Sequence, residues 1–461
     1  MHQVTVNGRL LYAEDGTILS TLLLGSNIPL DHPCGGKGSC RKCLVLVNGK
    51  EELSCRYAIH GDITVSLPQR AEILSETGVE ETGGNATDVC LALDIGTTTL
   101  ALALVAPREG KTLRVLTRTN PQRAYGADVM SRIEHCRHHG PAVLQRALIH
   151  ELNGMIQEIT DRQVERLYVA GNCTMLHLFL GIDCSPMGVA PYTPAFLASK
   201  SVSGESLGLC GVSLVECLPS IAAFVGADLV AGLYAVGMPP AGKHRLLIDL
   251  GTNAEIVLYS SDSALCTAAA AGPCFEGACI SQGMSATSGA IYAYQNGIVK
   301  TVGDAPAKGI CGTGLIDVIA ALVENGTIDE TGYMECEQLE IASGVFLTDG
   351  DVRQYQLAKA AVYAAILTLM RVKGVSFEEI DGLYISGGFA AKVDIENAVK
   401  TGLLPRELQE KCIALRNSSL AGTVQYACRG DSLLPYTQSA TYADLSANPI
   451  FSDLFMESMM F

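Results

Sequence analysis

The sequence predicts a multidomain α/β protein, and three observations predict it. A short N-terminal segment carries four cysteines on a glycine-rich run between strand-like stretches. A polar interval follows, and beyond it one order of hairpin, helix and strand occurs twice. The boundaries expected are a small domain over residues 1–67, a flexible linker over 68–88, a first half over 89–244, and a second half with a C-terminal tail over 245–461.

The N-terminal run is Cys34-Gly-Gly-Lys-Gly-Ser-Cys40-Arg-Lys-Cys43, with Cys55 further on, giving the spacing C-x5-C-x2-C-x11-C. Four thiolates, three on one tight loop and one later, are the ligand set of a plant-type [2Fe-2S] cluster, here with one extra residue in the first gap. Gly35, Gly36 and Gly38 let such a loop wrap closely and turn N–H groups toward sulfur. Val4 to Val6, Arg9 to Tyr12 and Thr64 to Leu67 read as strands and Thr17 to Leu24 as a helix, which makes a small β-grasp ferredoxin. The competing explanations are a structural zinc site, which usually pairs two C-x2-C knuckles where this segment has one, or buried thiols without a metal.

Composition excludes several functions. The net charge of −16 contains no basic run, so nucleic acid and anionic membrane surfaces are poor partners. Met1-His2-Gln3-Val4 enters strand pattern at once and is expected not to be a signal peptide. The most apolar stretch, Ile221 to Gly237, is broken by Asp228 and reads as a buried helix rather than a membrane span. The chain has 17 cysteines, which without a secretory signal imply a reducing cytoplasm and free thiols. Those outside the four-cysteine set, including Cys274, Cys279 and Cys311, are small buried apolar residues by default.

Pro68 to Asp88 is rich in Glu, Thr, Gly and Asn, hence the linker. At Val89 the pattern turns apolar, with two strands around a turn carrying Asp94, Gly96, Thr97, Thr98 and Thr99. Arg245 to Leu258 repeats that hairpin with Asp249, Gly251, Thr252 and Asn253. A strand ending in a glycine turn follows each, Leu167 to Asn172 and Leu383 to Gly388, preceded by helical sequence over Ala147 to Ile159 and Leu357 to Val372. Two such units would face each other across a cleft, where ligands usually bind.

A D-x-G-T-[TN] turn brings backbone N–H groups and hydroxyls together in a nest suited to phosphate oxygens. Asp94 and Asp249 beside that negative charge imply a cation between, so Mg²⁺ held through water is expected. No G-x4-G-K-[ST] loop occurs. A single hairpin of this kind could be merely a tight strand connection, and the second copy argues for a site.

The paired hairpins and Ser386-Gly387-Gly388-Phe389 resemble the two phosphate motifs and the adenosine motif of the actin, sugar-kinase and heat-shock-chaperone ATPase superfamily. With the four-cysteine domain in front, the whole chain resembles the reductive activators of corrinoid proteins. Asn120 to Ile133, Ala170 to His177, Gly272 to Gly277, Cys311 to Asp317 and Tyr442 to Ser446 extend the likeness. Cys173 and Cys274 depart from it, and the linker runs almost directly into the first hairpin, so the middle domain of some members is expected to be short or absent. The resemblance implies a duplicated ribonuclease-H-like fold with ATP in the cleft, Gly387 and Gly388 at the adenosine, and a cluster on Cys34, Cys40, Cys43 and Cys55. It implies an ATPase that passes an electron to cobalt(II) of a corrinoid protein in a methyltransferase system, restoring cobalt(I). The partners implied are that protein and a low-potential electron donor, with a homodimer left open.

Glu255 is a candidate for positioning the attacking water, or a strand-end carboxylate. His177 reads as a satisfied core histidine, Cys274 and Cys279 as lacking enough neighbours for a second metal site, and the tail Pro449 to Phe461 as docked on its own domain. The loop Gly272 to Ser285, with Glu276, Ser281 and Gln282, is either a contact for the partner or a structural turn. Three further readings compete: an activator of a radical dehydratase, which carries fewer cysteines per chain; an ATP-binding iron–sulfur redox sensor; and a small-molecule kinase, for which no base over a substrate pocket is evident.

Overall fold

The computed structural model describes residues 1–26, 28, 30, 38, 43–67, 77, 79–84, 86–126, 128–388 and 390–461. Five strands form the N-terminal sheet: β1 His2–Val6, β2 Arg9–Ala13, β3 Leu44–Val47, β4 Lys50–Leu53 and β5 Ile63–Ser66, in the order β2-β1-β5-β3-β4. Both Asn7-Gly8 and Asn48-Gly49 have positive φ at each residue, which matches the right-handed twist of the hairpins they close. The second Asn-Gly is the signal for β3 and β4, which the strand pattern alone did not yield. The helix Leu19–Gly25 covers one face, and Val4, Val6, Leu19, Leu23, Val45, Val47, Ile59 and Val65 close the core.

The second sheet comprises β6 Cys90–Ile95, β7 Thr99–Ala106, β8 Lys111–Thr119, β9 Val164–Gly171, β10 Lys200–Ser203 and β11 Val212–Cys217, in the order β10-β11-β9-β6-β7-β8. The third begins with β12 His244–Leu250, β13 Ala254–Tyr259 and β14 Ala264–Ala269. The chain then inserts a three-stranded sheet (β15 Ala290–Gln295, β16 Ile298–Thr301, β17 Gly309–Ile310) and a hairpin (β18 Gln338–Ala342, β19 Val345–Thr348). It returns through β20 Ile380–Ser386, β21 Cys412–Ala414 and β22 Ala440–Tyr442, giving the order β21-β20-β12-β13-β14-β22. In both sheets an antiparallel three-strand meander is flanked by a parallel strand that returns beside its first member, β9 along β6 and β20 along β12.

Every residue of β6 is buried, as expected of a strand covered on both faces. One cover is the helix Ala142–Ile159, which starts five residues before the expected Ala147. The other is the helix Ser418–Arg429, whose Leu420, Val424 and Ala427 pack on Ala92, Ala101 and Ala103. The stretch expected as a helix from Ile221 begins its helix only at Ala227 and runs to Val236, its apolar residues buried. Among the described residues, no helix is long and apolar enough to cross a membrane. The expected helix Leu357 to Val372 lies inside Asp349–Lys373, started by a Thr348/Asp351 capping box and ended at Gly374. The tail helix Pro449–Glu457 docks on it, and Phe461 stacks on Tyr355 with ring centroids 6.2 Å apart.

The polar stretch before Asp88, expected as a linker, is described only in part. Its described second half is fastened to the edge of the second sheet. The Thr82 amide donates to the Thr112 carbonyl at 2.9 Å, and Glu81 accepts the Val115 N–H at 2.8 Å. Ala86 is buried, and its carbonyl accepts from Arg162. The edge strand β8 offers unpaired backbone groups, and a polar segment with a few apolar residues suffices to pair them. The Thr82 amide should therefore exchange with deuterium as slowly as strand amides of β8, and Glu81→Ala should speed exchange at Val115. Free-peptide rates at Thr82 would contradict this docking.

Candidate functional site

The first hairpin is held from one side by donors that all aim at its carbonyls. Asn120 Nδ2 donates to the Gly96 carbonyl at 2.8 Å, Arg132 Nη2 to the Thr97 carbonyl at 2.5 Å, and the Asn120 amide to the Thr98 carbonyl at 2.8 Å. In a trans peptide the following N–H points opposite its carbonyl. The N–H groups of Thr97 and Thr98 are thereby turned to the other side, and neither has an acceptor among the described residues. Asn172 donates to Thr97 Oγ1 at 3.2 Å, which leaves that hydroxyl's own proton for another acceptor. Thr99 opens β7 and closes the turn by accepting the Gly96 amide at 3.0 Å.

Asp94, at the end of β6, is buried and accepts from Asn417 Nδ2 and Ser419 Oγ, each at 2.8 Å, both far along the chain. Burial pushes its pKa up, and those two donors oppose the rise. Asp249 is pushed up to about 6 by burial and by the charge of Asp94. Asp228 is pushed up to about 8 by burial, then Asp249 and Asp94. Glu255 is raised well above the carboxylate range by burial, then by Asp249 and Asp228. Four carboxylates from two sheets and one helix start thus converge, partly reached by solvent yet enclosed by protein. Like charges at such range disfavour joint ionisation unless a cation lies among them.

The second hairpin is arranged differently. The Gly251 amide donates to the Asn253 carbonyl at 3.0 Å, and Thr252 Oγ1 donates to Glu276 Oε2 at 2.9 Å, so that hydroxyl is already engaged. Gly387 has φ +120°, and a Cβ there would lie 2.2 Å from the Leu250 carbonyl oxygen at the end of β12. The fold itself therefore requires glycine at 387, whereas a Cβ on Gly388 would meet open space. Phe389 lies outside the described residues.

In the N-terminal domain Cys34 and Cys40 lie outside the described residues. Cys43 and Cys55 are buried, with sulfurs 3.3 Å apart. That is far longer than a disulfide bond, and it puts the two thiols close enough to reach one metal ion. Among the described residues, the carboxylate seam included, no three His, Cys, Asp or Glu side chains lie close enough to hold one metal ion directly. Gly38 has φ +76°, in the left-handed region that a close wrap requires.

Sequence reasoning passed over Asp228 as a membrane-span breaker, and over Asn417 and Ser419 entirely. An acidic residue in the first turn of an otherwise apolar helix was the available signal for Asp228. His177 is a satisfied core residue: Nδ1 donates to the Cys173 carbonyl at 2.7 Å and Nε2 accepts the Ala195 N–H at 2.9 Å. Cys173 and Cys274 are buried thiols pushed up to about 12 by burial. In the loop after Gly272, Ser281 donates to Asp351 through its amide at 2.6 Å, and Gln282 bonds Gly344 and Phe346. Those side chains anchor the loop, and Glu276 is the one that faces the second hairpin.

Residues 89–241 match the family model described as the RACo middle region, and residues 243–461 match that of the C-terminal domain of RACo, the ASKHA domain. The chain belongs to the family of reductive activators of corrinoid proteins. The expectation of a short or absent middle domain is corrected by that match, since the middle region is the stretch that forms the second sheet and its hairpin, from Cys90 onward. It is 27% identical to the corrinoid activation enzyme RamQ of Eubacterium limosum, over 96% of each chain. It is 29% identical to the [Co(II) methylated amine-specific corrinoid protein] reductase of Methanosarcina barkeri, over 72% of this chain and 68% of the other. A solved structure described as a reductive activator for corrinoid, iron-sulfur protein superposes with a TM-score of 0.71 and 25% identity, covering 100% of this chain and 98% of that one.

Two outcomes follow for this site. The raised carboxylates favour the folded state below their ordinary range near 4, and that contribution is lost as pH climbs through about 6 for Asp249 and about 8 for Asp228. In metal-free buffer the stability advantage of Asp228→Asn over the parent should grow between pH 5 and pH 8.5 by roughly 2 kcal/mol or more, read by thermal melting. Equal melting curves at both pH values would contradict the clustering. Gly387→Val should lower the melting temperature without any ligand, whereas Gly388→Val should leave it unchanged and abolish only a nucleotide-induced rise. Loss of stability in Gly388→Val would show that position, too, to be architectural.

Proposed function

We propose that this chain is an ATP-dependent reductive activator that returns cobalt(II) of a corrinoid protein to cobalt(I). The observation that carries the reading is the convergence of Asp94, Asp228, Asp249 and Glu255 between two hairpins, in a chain that also holds two buried thiols side by side. Family membership and the relatives' names support the target; a methyltransferase system as its setting is inferred with it.

The two sheets are read as a duplicated ribonuclease-H-like, actin-like ATPase fold, and the first domain as a β-grasp ferredoxin. Phosphate oxygens would meet the N–H groups of Thr97 and Thr98 and the hydroxyl of Thr97 on one side, and Gly251, Thr252 and Asn253 on the other. Thr99 closes the first turn, while Gly388 faces the open space assigned to adenosine and Gly387 supports it. Asp94 and Asp249 would hold Mg²⁺ through water, and the ion would neutralise the repulsion among the carboxylates. Glu255, whose affinity for protons is raised by burial and then by Asp249 and Asp228, becomes better able to orient water or accept its proton once a cation draws their charge. Thr252 would have to leave Glu276 to reach a phosphate, so ligand binding and rearrangement of the second hairpin are linked.

Cys34, Cys40, Cys43 and Cys55 would hold the [2Fe-2S] cluster, and the buried pair fits two thiolates on one iron. When bound, such a cluster supplies a one-electron carrier near about −400 mV. A gap of roughly 100–200 mV to cobalt(II) corresponds to about 2–5 kcal/mol for one electron, within what nucleotide-driven rearrangement of a protein complex can provide.

Iron analysis and electron paramagnetic resonance test the first half of this reading. The purified protein should carry about two irons per chain and give a [2Fe-2S] signal on reduction. Cys43→Ser and Cys55→Ser should each lose that signal yet keep the melting-temperature rise with Mg-ATP. A Cys43→Ser variant with unchanged iron would remove the cluster from this site.

A further inference from the structure

Arg132 sits at the start of the helix Val129–His139 and is fully buried. Three features of that position disfavour a cation. Burial opposes the charge, Arg123 nearby repels it, and the start of a helix presents the positive end of its dipole. Among the described residues no carboxylate forms an ion pair with it. Asp128 and Glu276 lie close enough to favour its charged form but do not contact it. All its acceptors are neutral: the Thr97 carbonyl at 2.5 Å, the Gly126 carbonyl at 2.9 Å, Met175 Sδ at 3.0 Å and Gln122 Oε1 at 3.5 Å. A buried charge with neutral partners is costly unless an anion arrives beside it. The Thr97–Thr98 peptide that Arg132 holds turns its N–H away from the guanidinium, and that N–H has no acceptor among the described residues.

We propose that Arg132 is a positioning residue for bound polyphosphate. It fixes the Thr97 carbonyl so that the Thr98 N–H stays on the ligand side, and its charge lies behind that peptide as the counterweight to the phosphates. This rests on the nucleotide reading given above. The guanidinium does not touch the ligand: it polarises the peptide whose N–H does. Chained hydrogen bonds of this kind strengthen one another where water is excluded. The second hairpin has no equivalent, since its carbonyls at Gly251 and Thr252 receive no such donor among the described residues. The first hairpin is the preformed half of the site, and Arg132 keeps it so.

The test uses the full chain and compares equilibrium binding of ATP and of AMP, each with Mg²⁺, in the parent, Arg132→Met and Arg132→Lys. Arg132→Met should weaken ATP about tenfold or more, the scale of one lost charge-assisted bond, and leave AMP nearly unchanged. Arg132→Lys keeps the charge but cannot span the Thr97 and Gly126 carbonyls together, so it should fall between. In ATP hydrolysis the loss should appear in KM more than in kcat. Melting without nucleotide reports folding, and if Arg132→Met does not fold, the lysine variant carries the comparison. Equal weakening of ATP and AMP would make Arg132 a structural clamp and overturn the proposal. So would an ATP-to-AMP ratio within about twofold of the parent in the folded variants. A parent that binds no ATP would instead sink the nucleotide reading itself.

Discussion

Mutual repulsion among carboxylates at the seam of two sheets is the constraint on which the rest of this structure depends. Asp94 and Asp249 end equivalent strands, Asp228 starts the helix between the sheets, and Glu255 follows the second hairpin. Burial first, and then the charges of Asp94, Asp249 and Asp228, raise the affinity for protons at Asp249, Asp228 and Glu255, so the cost of charging the seam rises with pH. A fold gains nothing from such an arrangement on its own. A divalent cation with a polyphosphate converts the same charges from repulsion to attraction.

That cost is shared between halves of the chain that lie far apart in sequence. Asp94 belongs to the second sheet, yet its two donors, Asn417 and Ser419, stand at the start of a helix that arrives after the third sheet is complete. That helix packs on β6 and β7 and against the helix Ala227–Val236 that carries Asp228. A change in charge at the seam is thus felt by elements that join both sheets. The first hairpin is rigidly braced while the second has its threonine hydroxyl committed to Glu276. Rearrangement on ligand binding would therefore fall mainly on the second half.

How much of this was legible in the sequence depended on whether the signal was local. The hairpins and the long helices follow from spacing and periodicity, although both helices begin several residues ahead of where the apolar pattern placed them. Asn417 and Ser419 were not, because nothing around them distinguishes a helix cap from a ligand to an aspartate hundreds of residues earlier. Asp228 was visible as a charge in an apolar stretch, but its partners come from other sheets. Gly387 was legible as a special glycine, but the Leu250 carbonyl that excludes a side chain there was not, because it comes from another strand. The polar stretch ahead of Asp88 looked like free linker because edge pairing uses backbone groups, which composition does not reveal.

The measurement that bears most directly on the whole account is the appearance of cobalt(I) in a corrinoid protein, followed by its visible absorption without oxygen. It requires a low-potential reductant, this protein, and Mg-ATP present or withheld. Cobalt(I) should accumulate only when all are present, and Asp249→Asn should abolish the response to ATP while keeping its iron. Equal accumulation without ATP, or an undiminished ATP response in Asp249→Asn, would contradict the claim that a nucleotide at the carboxylate seam drives the electron.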